Sequence, residues 1–169
     1  SGMGIIVGRC YGTVSNCHVT NSTLSSDDSF YTGGISGYTN GRIINCSVNN
    51  TTLEASLGSL GIITGYLHEG NIMNCYSCHN TVNKKSTHNG GICGYGLNGT
   101  LTNCYVYSNN NVKGHIIGTG KHAVITYCYC DQLPFIYSNE EGCSYGKNYQ
   151  YTTNFTATSN NTPIYQLLN

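Results

Sequence analysis

Charge is the scarcest property of this chain. Seven Lys and Arg against seven Asp and Glu in 169 residues cancel to a formal net charge of zero. That leaves neither the basic field that holds a phosphate backbone nor a polybasic patch for anionic lipid, so nucleic acid is excluded as a partner. No run approaches the roughly 20 apolar residues of a membrane-spanning helix, and the first residues carry no basic-then-apolar signal pattern. No membrane insertion is expected. Trp is absent and Pro occurs twice, and the long stretches of strong helix formers that amphipathic helices use are missing. What the chain has instead is Gly (22 residues), Tyr (15 residues) and much Asn, Thr and Ser, the make-up of a β-rich chain with a polar, uncharged surface.

The organising feature is an internal repeat. Asn-Cys recurs at Asn16-Cys17, Asn45-Cys46, Asn74-Cys75 and Asn103-Cys104, every 29 residues, with an altered fifth copy at Tyr127-Cys128. A glycine precedes each cysteine by nine or ten residues, at Gly8, Gly37, Gly65, Gly94 and Gly118. Between and beyond these anchors the apolar positions also align. They are Ile6, Ile35, Ile63, Ile92 and Ile116; Val14, Ile43, Ile72, Leu101 and Ile125; Val19, Val48, Ser77, Val106 and Cys130; and Leu24, Leu53 and Val82.

Each copy holds three short apolar pieces separated by Gly or Asn, which reads as strands joined by tight turns. One copy cannot bury both sides of anything, whereas copies stacked in register turn every apolar position into an internal column. The expected fold is therefore all-β: a parallel β-solenoid of about five coils, 28–29 residues per coil, with coils near 4–32, 33–60, 61–89, 90–113 and 114–130. Residues 131–169, which leave the repeat, are expected to form a C-terminal cap or transition segment. Nothing equivalent protects the first coil. Because Ser1-Gly2-Met3 runs straight into the repeat, the chain reads as a fragment or processed product.

Parity refines the picture. Cys46 and Val48 share a strand face, but Ile43 lies an odd number of residues from Cys46, so the chain bends between them, at Asn45. Asn16, Asn45, Asn74 and Asn103 are thus expected to stack as an asparagine ladder at a corner, beside a buried column of Cys17, Cys46, Cys75, Cys104 and Cys128. Gly12, Gly41, Gly70 and Gly99 are placed at the preceding turn, where a positive φ is easiest.

The motif Gly-Gly-Ile-x-Gly-Tyr followed by Gly-x-Ile-x-Asn-Cys, almost whole at Gly33 to Cys46 and Gly90 to Cys104, resembles the GLUG-type repeats. The resemblance covers roughly residues 4–130. It implies right-handed β-helix coils of the kind found in large surface and secreted proteins, with adhesive or spacer roles.

Several constellations invite a chemical reading. Cys75-Tyr76-Ser77-Cys78-His79 has the C-x-x-C-H spacing of c-type haem attachment, yet Cys75 already belongs to the cysteine column. Cys78 and His79 suit zinc, but the other histidines fall at unrelated repeat positions. Asp27, Asp28 and Glu54 occupy adjacent variable loops, where two carboxylates could approach as a glycosidase needs; solvated loop charges are the plainer reading. Thr23, Thr52 and Thr81 form a column without a matching threonine partner column. No catalytic residue, metal site or cofactor is assigned.

The tyrosines give the more specific surface. Tyr38, Tyr66 and Tyr95 follow the anchor glycine, and Tyr76, Tyr105 and Tyr129 follow the ladder cysteine. Both columns are expected to face outward, either as a platform for sugar rings or as cross-strand stacking that stabilises the sheet. Asn-x-Ser/Thr sequons at Asn21, Asn50, Asn98, Asn154 and Asn160 are candidate glycosylation sites, while Asn45, engaged at the corner, should not be one. The column cysteines are expected to be stacked thiols rather than bridges, and Cys93 to point outward.

These features point to a non-enzymatic structural or adhesive module of an extracellular or cell-surface protein: a stalk, an adhesin or an assembly unit. Its partners would be other segments of a larger parent chain or like subunits, met through the solenoid ends, with carbohydrate as the open ligand class. The alternatives are a carbohydrate-binding module or polysaccharide-active β-helix enzyme, and a subunit of an end-to-end extracellular filament.

Overall fold

The structure, a computed structural model, describes residues 1–84, 87–145 and 149–150. It is a β-solenoid, all strands pairing in parallel and no helix occurring among the described residues. Each full turn contributes five short strands, not three, because the Gly- and Asn-containing bends divide the apolar pieces further. The first sheet holds Gly2–Gly4, Tyr31–Gly33, Ser59–Gly61 and His88–Gly90. The second runs from Val7–Cys10 through Ser36–Thr39, Thr64–His68, Cys93–Leu97 and Ile117–Lys121 to Ile136–Glu141. The third begins Thr13–Ser15, Arg42–Ile44, Asn71–Met73, and the fourth His18–Thr20, Ser47–Asn49, Tyr76–Cys78; each has six strands. The fifth has three: Thr23–Ser26, Thr52–Ala55 and Thr81–Lys84.

The apolar columns lie inside, in register. Ile35, Ile63, Ile92 and Ile116 are fully buried, as are Ile43, Ile72, Leu101 and Ile125, with Val48, Ser77 and Val106 on the next face and Leu53 and Val82 on the one after. Removing each such aliphatic side chain from water is worth about 2 kcal/mol. First-turn members of the same columns are less covered. Ile6 is 46% exposed, and Val14 and Leu24 are only partly buried. Each first-turn strand pairs on one side alone among the described residues, so this end presents open backbone edges.

Strands do not stop at Cys130. Ile136–Glu141 pairs with Ile117–Lys121, Ser144–Tyr145 with Val124–Thr126, and Tyr149–Gln150 with Tyr129–Cys130. The segment expected to abandon the repeat thus adds strands to three sheets before leaving the described residues.

Two local expectations are corrected. Positive φ does not fall on Gly12, Gly41, Gly70 or Gly99; it falls on Glu69 (φ 56) and Asn98 (φ 52), each just before its glycine. Gly41, Gly70 and Gly99 answer to space instead. A Cβ on Gly41 would lie 2.0 Å from Gly12 O, on the neighbouring turn. Cys93 does not point outward but is fully buried in the core. Its neighbour Gly94 is pressed against the preceding turn, where a Cβ would meet Gly65 O in its own sheet at 2.6 Å and the Leu60 backbone in the first sheet at 2.7 Å. This close approach breaks the alternation, so Ile92 and Cys93 both face in while Tyr95 faces out.

Candidate functional site

The corner between the third and fourth sheets is built as the Asn-Cys repeat implies. Asn16, Asn45, Asn74, Asn103 and Tyr127 all take left-handed backbone, φ 53 to 54, a conformation Asn adopts more readily than other side-chain-bearing residues. Asn45 Nδ2 donates to Asn16 Oδ1 at 3.3 Å, Asn74 to Asn45 at 3.1 Å, and Asn103 to Asn74 at 2.8 Å. Both ends of the Asn45 amide are engaged.

One residue on, the cysteines face the core. Cys46, Cys75, Cys104 and Cys128 are fully buried, Cys17 is partly so, and all are free thiols. Burial pushes Cys75 and Cys104 well above the ordinary thiol range, whereas the hydrogen bond from Cys75 holds Cys46 below it.

A second ladder, unmarked by any full-length repeat in the sequence, lies inside the corner between the fourth and fifth sheets. Asn80 is fully buried and Asn109 nearly so. Asn80 Oδ1 accepts from Thr51 N at 2.9 Å, its Nδ2 donates to Val48 O at 2.8 Å, and Asn109 Oδ1 accepts from Asn80 N at 2.9 Å. The signal was there only as Asn at two positions 29 apart, its counterparts being Ser22 and Thr51.

The tyrosine columns differ from one another. Tyr38, Tyr66 and Tyr95 face outward, half-buried, with centroids 5.5 and 5.4 Å apart and planes tilted by 54° and 51°. Tyr31 from the first sheet stacks on Tyr66 at 4.8 Å. Around them Tyr38 Oη and His68 Nδ1 lie 3.1 Å apart, Tyr95 Oη donates to Glu140 Oε2 at 2.6 Å, and His88 meets the Tyr95 ring edge-on at 5.3 Å. Burial, with Tyr31 and Tyr38 alongside, pushes the Tyr66 phenol up to about 12. Tyr31, Ser59, Tyr66, His88 and Tyr95 line an open cleft of ≈ 230 Å³. In the other column Tyr105 is only 1% exposed and packs with Cys78, Tyr76, Tyr107 and Tyr129 in a small cluster outside the coil. Tyr76–Tyr105–Tyr129 is therefore a packed layer, not an open platform, because its central ring is covered.

The remaining constellations do not converge. Cys75 lies in the core and Cys78 in the outer cluster, so the two thiols of the haem-like motif lie on opposite sides of the coil wall. Among the described residues no three His, Cys, Asp or Glu side chains are grouped as metal ligands. Asp27 accepts from Ser56 and Glu54 from Asn83, at 3.0 and 3.1 Å; these carboxylates are engaged separately. Asn21, Asn50 and Asn98 are exposed at left-handed corners, while Asn154 and Asn160 lie outside the described residues. Comparison with protein-family models, curated proteins and solved structures gives no match to this chain.

Proposed function

We propose that the chain is a non-enzymatic structural or adhesive β-solenoid module of an extracellular or cell-surface protein, serving as stalk, adhesin or assembly unit. The observation that carries this reading is the pair of side-chain ladders, the outer through Asn16, Asn45, Asn74 and Asn103 and the shorter inner one through Asn80 and Asn109, which tie successive turns together at corners outside and inside the coil. A body built this way resists bending, and its nearly uncharged surface offers little to steer a charged substrate. The GLUG-type motifs at Gly33 to Cys46 and Gly90 to Cys104 favour the same role. The open strand edges of the first turn would join a further parent-chain segment or a like subunit.

A second reading, neutral-carbohydrate binding, is favoured by the cleft of Tyr31, Ser59, Tyr66, His88 and Tyr95, since aromatic rings with hydroxyl rims suit pyranose faces. A glycan array on the wild-type chain and on Tyr66→Ala distinguishes these roles. Binding lost in the variant makes the module a carbohydrate binder, and background binding by both leaves the spacer role. Release of reducing ends from any arrayed polysaccharide would overturn the non-enzymatic reading.

A further inference from the structure

We infer that the cleft lined by Tyr31, Ser59, Tyr66, His88 and Tyr95 is an aromatic cage for a quaternary ammonium group of the choline type. The inference does not rest on the stalk or adhesin role, and it gives the cleft a different occupant from the neutral sugar considered above.

The cage follows from the stacking of turns. In the first sheet Tyr31, Ser59 and His88 stand in one in-register column, so a small residue separates two that carry rings. In the second sheet Tyr66 and Tyr95 are register partners on adjacent strands. The rings meet in sequence around Ser59. Tyr31 stacks on Tyr66 with centroids 4.8 Å apart, Tyr66 and Tyr95 lie 5.4 Å apart, and Tyr95 and His88 5.3 Å. Interplanar angles of 21°, 51° and 83° turn successive rings in different directions. The four ring-bearing residues are half-buried and Ser59 is buried, and the space they line is ≈ 230 Å³.

The chemistry selects the group. A cation against aromatic rings is held by their quadrupoles, most strongly where water is displaced. The lining residues include neither Lys nor Arg. Beside Tyr95 stands the Glu140 carboxylate, accepting from Tyr95 Oη at 2.6 Å, and it adds attraction for positive charge. Lys113, the cation that acts on His88, has its ammonium over the Tyr137 ring at 5.5 Å. Burial holds His88 below the ordinary imidazole value and pushes the Tyr66 phenol up to about 12, so both are uncharged at neutral pH. Two of the cleft's polar groups are already committed: His88 Nδ1 lies 2.6 Å from Thr119 Oγ1, and Tyr95 Oη is engaged by Glu140. A primary ammonium brings three N–H donors that need acceptors, and a sugar brings several hydroxyls. A quaternary ammonium brings none, so rings alone satisfy it and no polar group is left unpaired.

The test is calorimetric titration of the full chain with choline, with dimethylbutanol, its neutral isostere carrying carbon in place of nitrogen, and with cellobiose. We expect choline to bind about tenfold more tightly than dimethylbutanol, and cellobiose not to displace it. Tyr66→Leu, which keeps apolar volume and removes the ring, should weaken choline binding about tenfold, and Glu140→Gln should weaken it by a smaller factor. Absence of choline binding, equal binding of dimethylbutanol, or full choline affinity in Tyr66→Leu would each overturn the proposal. Displacement of choline by cellobiose would overturn it too and return the cleft to the carbohydrate reading. The isostere comparison uses the unmodified chain and decides the matter even if a variant misfolds.

Discussion

Asn74 donates through Nδ2 to Asn45 Oδ1 across one turn at 3.1 Å, and both residues hold φ at +53°. The side chain and the backbone make separate demands there. The amide links the turns, and the left-handed backbone turns the chain from one sheet to the next. Two substitutions separate these demands. Asn74→Gly keeps the backbone and removes the two ladder bonds, at a cost of about 1–2 kcal/mol. Asn74→Ala adds left-handed strain of about 1–2 kcal/mol more. Urea unfolding should rank wild type above Gly above Ala; Ala equal to Gly would mean that the corner does not constrain the backbone.

The fifth copy of the corner offers the reverse experiment. Tyr127 holds φ 54 without being Asn, and the residue is 47% exposed. Tyr127→Asn gives up little burial, relieves the left-handed backbone and places an amide above Asn103. A gain of about 1 kcal/mol is expected, read as a Tm higher by about 2–4 °C. A lower Tm would show that the Tyr127 ring contributes packing that outweighs the corner geometry.

Much of this architecture was legible in the sequence because one period governs it. The isoleucine columns, the Asn16–Asn103 ladder and the inward cysteines all follow from a 29-residue spacing and strand parity. What escaped was local and non-periodic. Asn80 and Asn109 form a two-residue ladder, but the same position is Ser22 and Thr51 in earlier turns, so no repeated letter marks it. Strict alternation through Gly94 turns Cys93 outward, and the close contact of Gly94 with the Leu60 backbone removes that alternation. Spacing puts Tyr105 on the outward face of its strand, but its burial depends on what packs over that face, which spacing within the repeat does not report.

The turn glycines show how one repeated letter can answer to different local conditions. A Cβ on Gly12 would meet nothing within 4 Å, whereas one on Gly41 would fall 2.0 Å from Gly12 O. Gly12→Ala should therefore be neutral or stabilising by about 0.5 kcal/mol, through the unfolded chain. Gly41→Ala must push two turns apart and should cost about 2 kcal/mol or more. Equal thermal shifts for the two variants would refute the close-approach explanation.

The buried thiols make stability depend on alkaline pH, with a definite sign. Burial, aided by Asp131, pushes Cys78 and Cys130 up to about 12 from an ordinary value near 9, and burial raises Cys93 as well. These thiols stay protonated in the folded chain while the unfolded chain ionises above about 9. The unfolded state then binds fewer protons. Their contribution is complete below pH 9 and is lost as pH climbs toward the folded values, at about 1.4 kcal/mol per pH unit for each thiol. Cys46, held low by the Cys75 hydrogen bond, acts in the opposite direction, and only below the ordinary thiol value. Urea midpoints should accordingly fall between pH values of about 9 and 10. Cys93→Ser isolates one contributor, because Ser36 and Thr64 already occupy that position in earlier turns and the hydroxyl keeps the bond that Cys93 Sγ makes to Tyr95 O at 3.1 Å. Its slope should be shallower by about 1.4 kcal/mol per pH unit. An unchanged slope would mean that the Cys93 thiol ionises in the folded chain as readily as in water, which its position in the core forbids.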